Sequence, residues 1–88
     1  MRIAVAIPSY KVHAHVLDVI ARVPPQVERI YVVDDKCPQD SGAFVQQHCT
    51  DPRVRVIFHD ENQGVGGAVV SGYRAALEDG MDIVVKVD

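Results

Sequence analysis

Four short apolar, β-branched runs punctuate the chain: Ile3-Ala4-Val5-Ala6-Ile7, Ile30-Tyr31-Val32-Val33, Val54-Arg55-Val56-Ile57-Phe58 and Ile83-Val84-Val85-Lys86-Val87. Between them apolar residues recur every three or four positions, the period of a helix face. Val12, Val16, Leu17, Ile20 and Val23 mark a first helix with His15, Asp18 and Arg22 outward, stopped by Pro24-Pro25. A polar loop from Asp35 to Asp40 leads to an N-cap at Ser41 and a short helix burying Phe44 and Val45. Asp51-Pro52 turns the chain into the third run. After Gly64 a third helix carries Val69, Val70, Tyr73, Ala76 and Leu77 inward, and Gly80 takes the left-handed position that closes it. The order β-α-β-α-β-α-β, with near-continuous apolar strands, predicts an α/β fold. It is a Rossmann-like three-layer sandwich with a mainly parallel sheet of about four strands. No internal repeat, linker or low-complexity segment interrupts it.

In such a sheet the ligand-binding edge lies at the carboxyl ends of the strands. Three of the four runs deliver polar groups there: Pro8-Ser9-Tyr10, Asp34-Asp35 and the terminal Asp88. Adjacent acids on extended backbone point to opposite sides, so one of Asp34 and Asp35 faces such a site. A carboxylate there accepts from a base N–H, holds a ribose hydroxyl or binds a hard cation; it equally serves as a turn acid or a helix cap. Asn62-Gln63-Gly64-Val65-Gly66-Gly67 opens the third helix. Its glycines admit a ligand close to backbone N–H groups at a helix start, or serve a tight turn and close helix–sheet packing. A dinucleotide fingerprint does not fit, because position 69 is Val and the motif follows the third strand.

Composition narrows the class. The chain has 88 residues, 48% hydrophobic and 24% charged, which describes one small globular domain or part of a larger one. A core of this size rarely supplies more than about 3–5 kcal/mol of net stability without staples. A net charge of −3 with no basic stripe argues against a nucleic-acid partner. Two cysteines, Cys37 and Cys49, and no secretory leader point to a reducing, cytoplasmic setting. No apolar run reaches the ~18–20 residues that span a bilayer. His13 and His15 diverge by about 200° on a helix and do not chelate one metal. Cys37, His48 and Cys49 have no zinc-site spacing. Lys36 and Lys86 flank the acidic strand ends as solvated lysines or contacts for a diphosphate. Nothing in the linear order resembles a Ser/His/Asp or Cys/His nucleophilic arrangement.

Taken in order, Ile7-Pro8-Ser9-Tyr10, Val32-Val33-Asp34-Asp35, Asn62-Gln63-Gly64-Val65-Gly66-Gly67-Ala68 and Val85-Lys86-Val87-Asp88 resemble the N-terminal, nucleotide-sugar-binding half of a family 2 glycosyltransferase of GT-A fold. The branch that includes dolichyl-phosphate mannose synthase is the most similar, and the resemblance covers the whole chain. It implies that Pro8, Ser9 and Tyr10 wrap the nucleoside and that Asp35 reads the base, commonly uracil or guanine. It implies that Gly64 and Gly66, with the helix they open, lie beside the nucleotide. Asp88 matches the first acid of an Asp-x-Asp motif that holds ribose and a divalent Mg²⁺ or Mn²⁺ on the diphosphate of the sugar donor. Residues 1–88 are then the nucleotide-binding part of a transferase domain, truncated at that motif. The second acid, the acceptor region and the catalytic base are expected beyond residue 88. The parent is expected to be an enzyme, acting on a polyprenyl phosphate or polysaccharide acceptor at a cytoplasmic membrane face, and this piece inactive. One departure stands in the base loop, where Lys36-Cys37 replaces the family's usual Gly or small residue with Ser. A receiver-like Mg-binding signalling domain is the alternative, since Asp34-Asp35 and Asp88 fit its acidic triad loosely; a non-catalytic nucleotide-binding or assembly module is another. The last strand is expected to form an exposed sheet edge that promotes homo-oligomers.

Overall fold

The computed structural model describes all residues except 10–12, 37, 39 and 88, and all side chains of the described residues except those of 13 and 14. Tyr10 and Asp88, two of the expected site residues, therefore lie outside the described residues, as does Val12. The elements alternate as β1 (Ile3–Ser9), α1 (His13–Ala21), β2 (Arg29–Asp34), α2 (Ser41–His48), β3 (Val54–Phe58), α3 (Gly64–Glu78) and β4 (Ile83–Lys86). All strand pairings are parallel and the sheet order is β3-β2-β1-β4. The Rossmann-like α/β architecture expected from the apolar pattern is what the chain adopts.

Alternation along the strands divides the core into two layers. Val5, Ile7, Ile30 and Val32 point to one face, where Val16 and Ile20 of α1 and Val45 of α2 cover them. Ala4 and Tyr31 point to the other and meet Ala76 and Met81. Large β-branched residues thus fill the α1/α2 layer, while α3 lies close on small residues. A β-carbon on Gly72 would sit 2.8 Å from the side chain of Ala6, so the helix approaches to backbone distance there.

That close approach corrects the expected orientation of α3. Its buried residues are Ala68, Gly72 and Ala76, one helical row. Val70, Tyr73 and Leu77, expected inward, are 48%, 40% and 73% exposed, while Val69 is half-buried and Ala76 buried as expected. Ala4 and Ala6 leave no room for large side chains, so the small row wins over the more apolar one. Two smaller corrections concern α2. Asp40, not Ser41, is the capping residue, in a left-handed conformation without a side-chain cap, and Ser41 is the first helical residue. Phe44 is half-buried, its ring against His48 at 4.5 Å, whereas Val45 is fully buried. Gly80 follows the α3 C-cap at φ 80°, the left-handed closure its position predicts.

Candidate active site at the carboxyl edge of the sheet

The chain turns from β1 to β2 and β3 on one side, then crosses by α3 to β4 on the other side of β1. The connection leaving β1 runs toward β2, while the one entering β4 arrives from β3 across β1. The strand order therefore reverses between β1 and β4, and the crevice outside their carboxyl ends is a topological switch point. Proline sharpens it. Val87 N–H donates to the Ala6 carbonyl at 2.9 Å, so alternate β1 residues, including position 8, face β4. Pro8 has no N–H to offer, and the β1–β4 ladder ends at Ala6 paired with Lys86. Beyond Pro8, which is half-buried, Ser9 lies beside Asp34 in the β1–β2 register. The Ser9 side chain is fully buried, and its Oγ finds no hydrogen-bond partner among the described residues. A buried hydroxyl without a partner costs about 1–3 kcal/mol, so this is the expensive atom of the edge.

Both strand-end acids are buried, and they diverge. Asp34 turns toward α2, where its Oδ2 accepts the Gly42 N–H at 2.8 Å. It satisfies a helix-start amide that the Asp40 side chain does not. The close fit is specific: a β-carbon on Gly42 would lie 2.5 Å from the Phe58 ring and 3.0 Å from Asp34 Cβ.

Asp35 turns toward the β3–α3 loop. Its Oδ1 accepts the Gln63 N–H at 2.7 Å and lies 2.8 Å from His59 Nδ1. Asn62 Nδ2 donates to the Asp35 carbonyl at 3.1 Å, and Asn62 Oδ1 accepts from Gly64 N–H at 3.1 Å. Burial works to raise the Asp35 pKa. Hydrogen bonds from His59, Gln63 and Gly64 outweigh it and hold the carboxyl below the ordinary range. The far side of the His59 ring is held too, with Nε2 2.7 Å from Ser71 Oγ on α3. Asp35, His59 and Ser71 therefore stand in line, an arrangement the linear reading set aside. The signal was out of reach because 24 and 12 residues separate the contacts.

A cleft of about 500 Å³ opens along this edge, lined by Asp34, Lys36, Pro38, Asp40, Phe58, His59 and Asp60. Lys36 and Asp40 adopt φ of 58° and 52°, so both non-glycine left-handed residues described in the chain border it. Gly64 takes φ 77°, a turn conformation that explains its glycine. Gly66 is different: it is exposed in the first turn of α3 and nothing lies within 4 Å of where its β-carbon would be. Packing does not require a glycine there. The close-packing role belongs to Gly72, which the pattern did not single out. Among the described residues no three His, Cys, Asp or Glu side chains come together to hold a metal ion. Cys49 is a free, half-buried thiol behind α2. Among the described residues no helix is long and apolar enough to cross a membrane.

Comparison with known proteins identifies the family of the chain. The family model described as Glycosyl transferase family 2 matches residues 4–88. The chain is 32% identical over 91 residues to the undecaprenyl-phosphate mannosyltransferase of Micrococcus luteus, an alignment covering 100% of this chain and 37% of that protein. The chain thus spans little more than a third of that relative's length.

Proposed function

The chain belongs to glycosyl transferase family 2, and we propose that it is the nucleotide-binding part of an enzyme that transfers a sugar from a nucleotide-diphosphate donor to an acceptor. A polyprenyl phosphate is the acceptor class we favour, on the strength of the mannosyltransferase relative. Family membership replaces the receiver-like reading. The observation that carries the proposal is the buried Ser9 hydroxyl, without a partner among the described residues, beside two buried carboxylates at the carboxyl edge of the sheet. Hydroxyl and carboxylate groups poised there suit the donors and acceptors of a nucleoside.

In this reading Pro8, Ser9 and Tyr10 wrap the nucleoside, and Asp35 accepts from the base. Gly64 and Gly66 let the nucleotide lie against the start of α3, where backbone N–H groups and the helix dipole favour phosphate. Asp88, one residue past Val87, is the carboxylate assigned to ribose and to a Mg²⁺ or Mn²⁺ ion. The described residues alone do not build a cation site, so base-side binding by the chain's own groups carries the argument. No side chain among the described residues is assigned as a general base, and the piece is proposed to bind without turnover.

Calorimetry of the folded chain with UDP, GDP, CDP and ADP tests the proposal. Weak, base-selective binding of UDP or GDP is expected, little changed by Mn²⁺ or Mg²⁺. Equal silence for all four at millimolar concentration overturns it. The proposal extends to homo-oligomers of the 88-residue chain through β4, the edge of the described sheet, whose Ile83 and Val85 are 40% and 48% exposed. A strictly monomeric species by light scattering at high micromolar concentration overturns that part.

A further inference from the structure

Asp35 is not simply an acid at a strand end. The whole β3–α3 loop is built around it: the His59 ring, the Gln63 N–H and the Asn62 side chain all reach back to this one residue. The same loop carries Gly64 and the open Gly66. His59 is itself buried, 9% exposed, and it also lines the cleft that Asp34 and Lys36 share. It is therefore the side chain that connects cleft, carboxylate and helix α3.

We propose that His59 is a positioning residue for the nucleoside. Through Nδ1 it holds the Asp35 carboxylate at the end of β2, and Ser71 holds the ring from α3. The inference rests on the reading of Asp35 as the base-side acid, and goes beyond it by naming what orients that acid.

The chemistry of the three groups is consistent at every atom. An ionised carboxylate only accepts, so Nδ1 carries the proton that is donated to Oδ1. Nε2 of the neutral ring then accepts from the Ser71 hydroxyl. If the ring gains a proton, the hydroxyl rotates and accepts instead, so the line survives either state. With the ring clamped at both nitrogens, the carboxylate cannot swing about its side-chain torsions toward solvent. A ligand meeting it finds an acceptor already oriented, and avoids the ordering cost that a free side chain would impose. The same residue order occurs in hydrolytic triads, but here the carboxylate also takes a backbone amide and anchors a loop, which is the work of a scaffold.

Substitutions at His59 separate the two nitrogens. His59→Ala removes both contacts, and the affinity of the 88-residue chain for UDP or GDP is expected to fall about tenfold, as for one lost hydrogen bond to a charged group. His59→Asn places an amide near the Nδ1 position and is expected to recover to within about threefold of wild type, the residual of an imperfect hydrogen bond. His59→Gln reaches instead toward Ser71 and should stay near the alanine value. In an Asp35→Asn background, His59→Ala should add less than about twofold, because coupled residues are not additive.

A measurement on the unaltered chain guards against variants that fail to fold. The ¹⁵N shifts of the His59 ring should report the Nδ1–H tautomer and move when UDP or GDP is added. If Asp35→Asn weakens nucleotide binding while His59→Ala does not, the positioning role falls and the base-side reading of Asp35 stands. If neither Asp35→Asn nor His59→Ala matters, or no nucleotide perturbs the ring, both fall. Covalent labelling of Ser71 by a fluorophosphonate would also overturn the proposal, by making the serine a nucleophile.

Discussion

The two edges of the sheet are built on opposite terms. At the amino edge, charge is spent on closure. Arg2 donates to Glu28 and to the Asp79 carbonyl, and its own N–H to Asp82. Arg53 donates to the carbonyls of Pro24 and Val27 at 2.8 and 3.0 Å while paired with Asp51. The Tyr31 hydroxyl donates to Asp79, and burial, then that bond, push its pKa upward. At the carboxyl edge the groups are equally polar but less closed. Ser9 Oγ lacks a partner among the described residues, and Lys36 and Asp40 sit in left-handed backbone. The difference teaches where the fold is held and where it is held ready: strain and unmet hydrogen bonds collect at functional edges, supported by a rigid remainder.

Substitutions at each end should therefore separate stability from binding. Arg53→Ala, at the amino edge, removes the guanidinium donors to the carbonyls of Val23, Pro24 and Val27 and to the Asp51 carboxylate, which keeps only the backbone N–H of residue 53. It should destabilise by about 3 kcal/mol, the upper range for hydrogen bonds to charged groups. Urea denaturation gives the loss, and nucleotide affinity of the folded fraction should stay unchanged. A large affinity loss would erase the distinction between the edges. Asp35→Asn, at the carboxyl edge, should weaken UDP or GDP binding by roughly 1.5–3 kcal/mol, the value of a charge-assisted acceptor. Asp34→Asn should do less to binding, since Asp34 is committed to the Gly42 amide. If Asp34→Asn proves the more damaging, the nucleoside lies on the α2 side.

Acid should act on both edges with the same sign. Asp51 is held below the usual carboxylate range by its bond from Arg53, and Asp35 is lowered against the opposing effect of burial. In each case the unfolded chain binds protons first, so stability is present above about pH 4 and is lost as pH falls through the lower folded values. Urea midpoints across a pH series should fall below that point, and Asp35→Asn and Asp51→Asn should each flatten the fall. An unchanged acid limb in both variants would remove these carboxylates as its cause. The smallest effect is expected at Lys36, where φ is 58°. Lys36→Gly relieves a left-handed side chain worth about 1 kcal/mol, offset by the added freedom of the unfolded chain. A thermal midpoint that rises slightly, or stays level, fits; a clear fall would mean the lysine side chain holds the loop.

What the sequence determined by itself is the local part of this protein. Strand bounds such as Arg29–Asp34 and Val54–Phe58 follow from uninterrupted β-branched runs, and the parallel sheet follows from their alternation with helical spacing. Gly80 and Gly64 were legible because a positive φ selects glycine regardless of what surrounds it. The four ordered motifs carried the family, because each sits at a strand end or helix start that its own neighbours define. Tertiary structure decided what depends on a partner. Val70, Tyr73 and Leu77 look like a core face, yet Ala4 and Ala6 on the sheet admit only Gly72 and Ala76, so the small row is buried. Asp34 and Asp35 are neighbours in sequence, but one accepts the Gly42 amide at the start of α2 and the other anchors the β3–α3 loop. The alignment of Asp35, His59 and Ser71 has no period at all. It exists only because a strand end, a loop and a helix, each specified locally, are brought to one edge by the packing of the sheet.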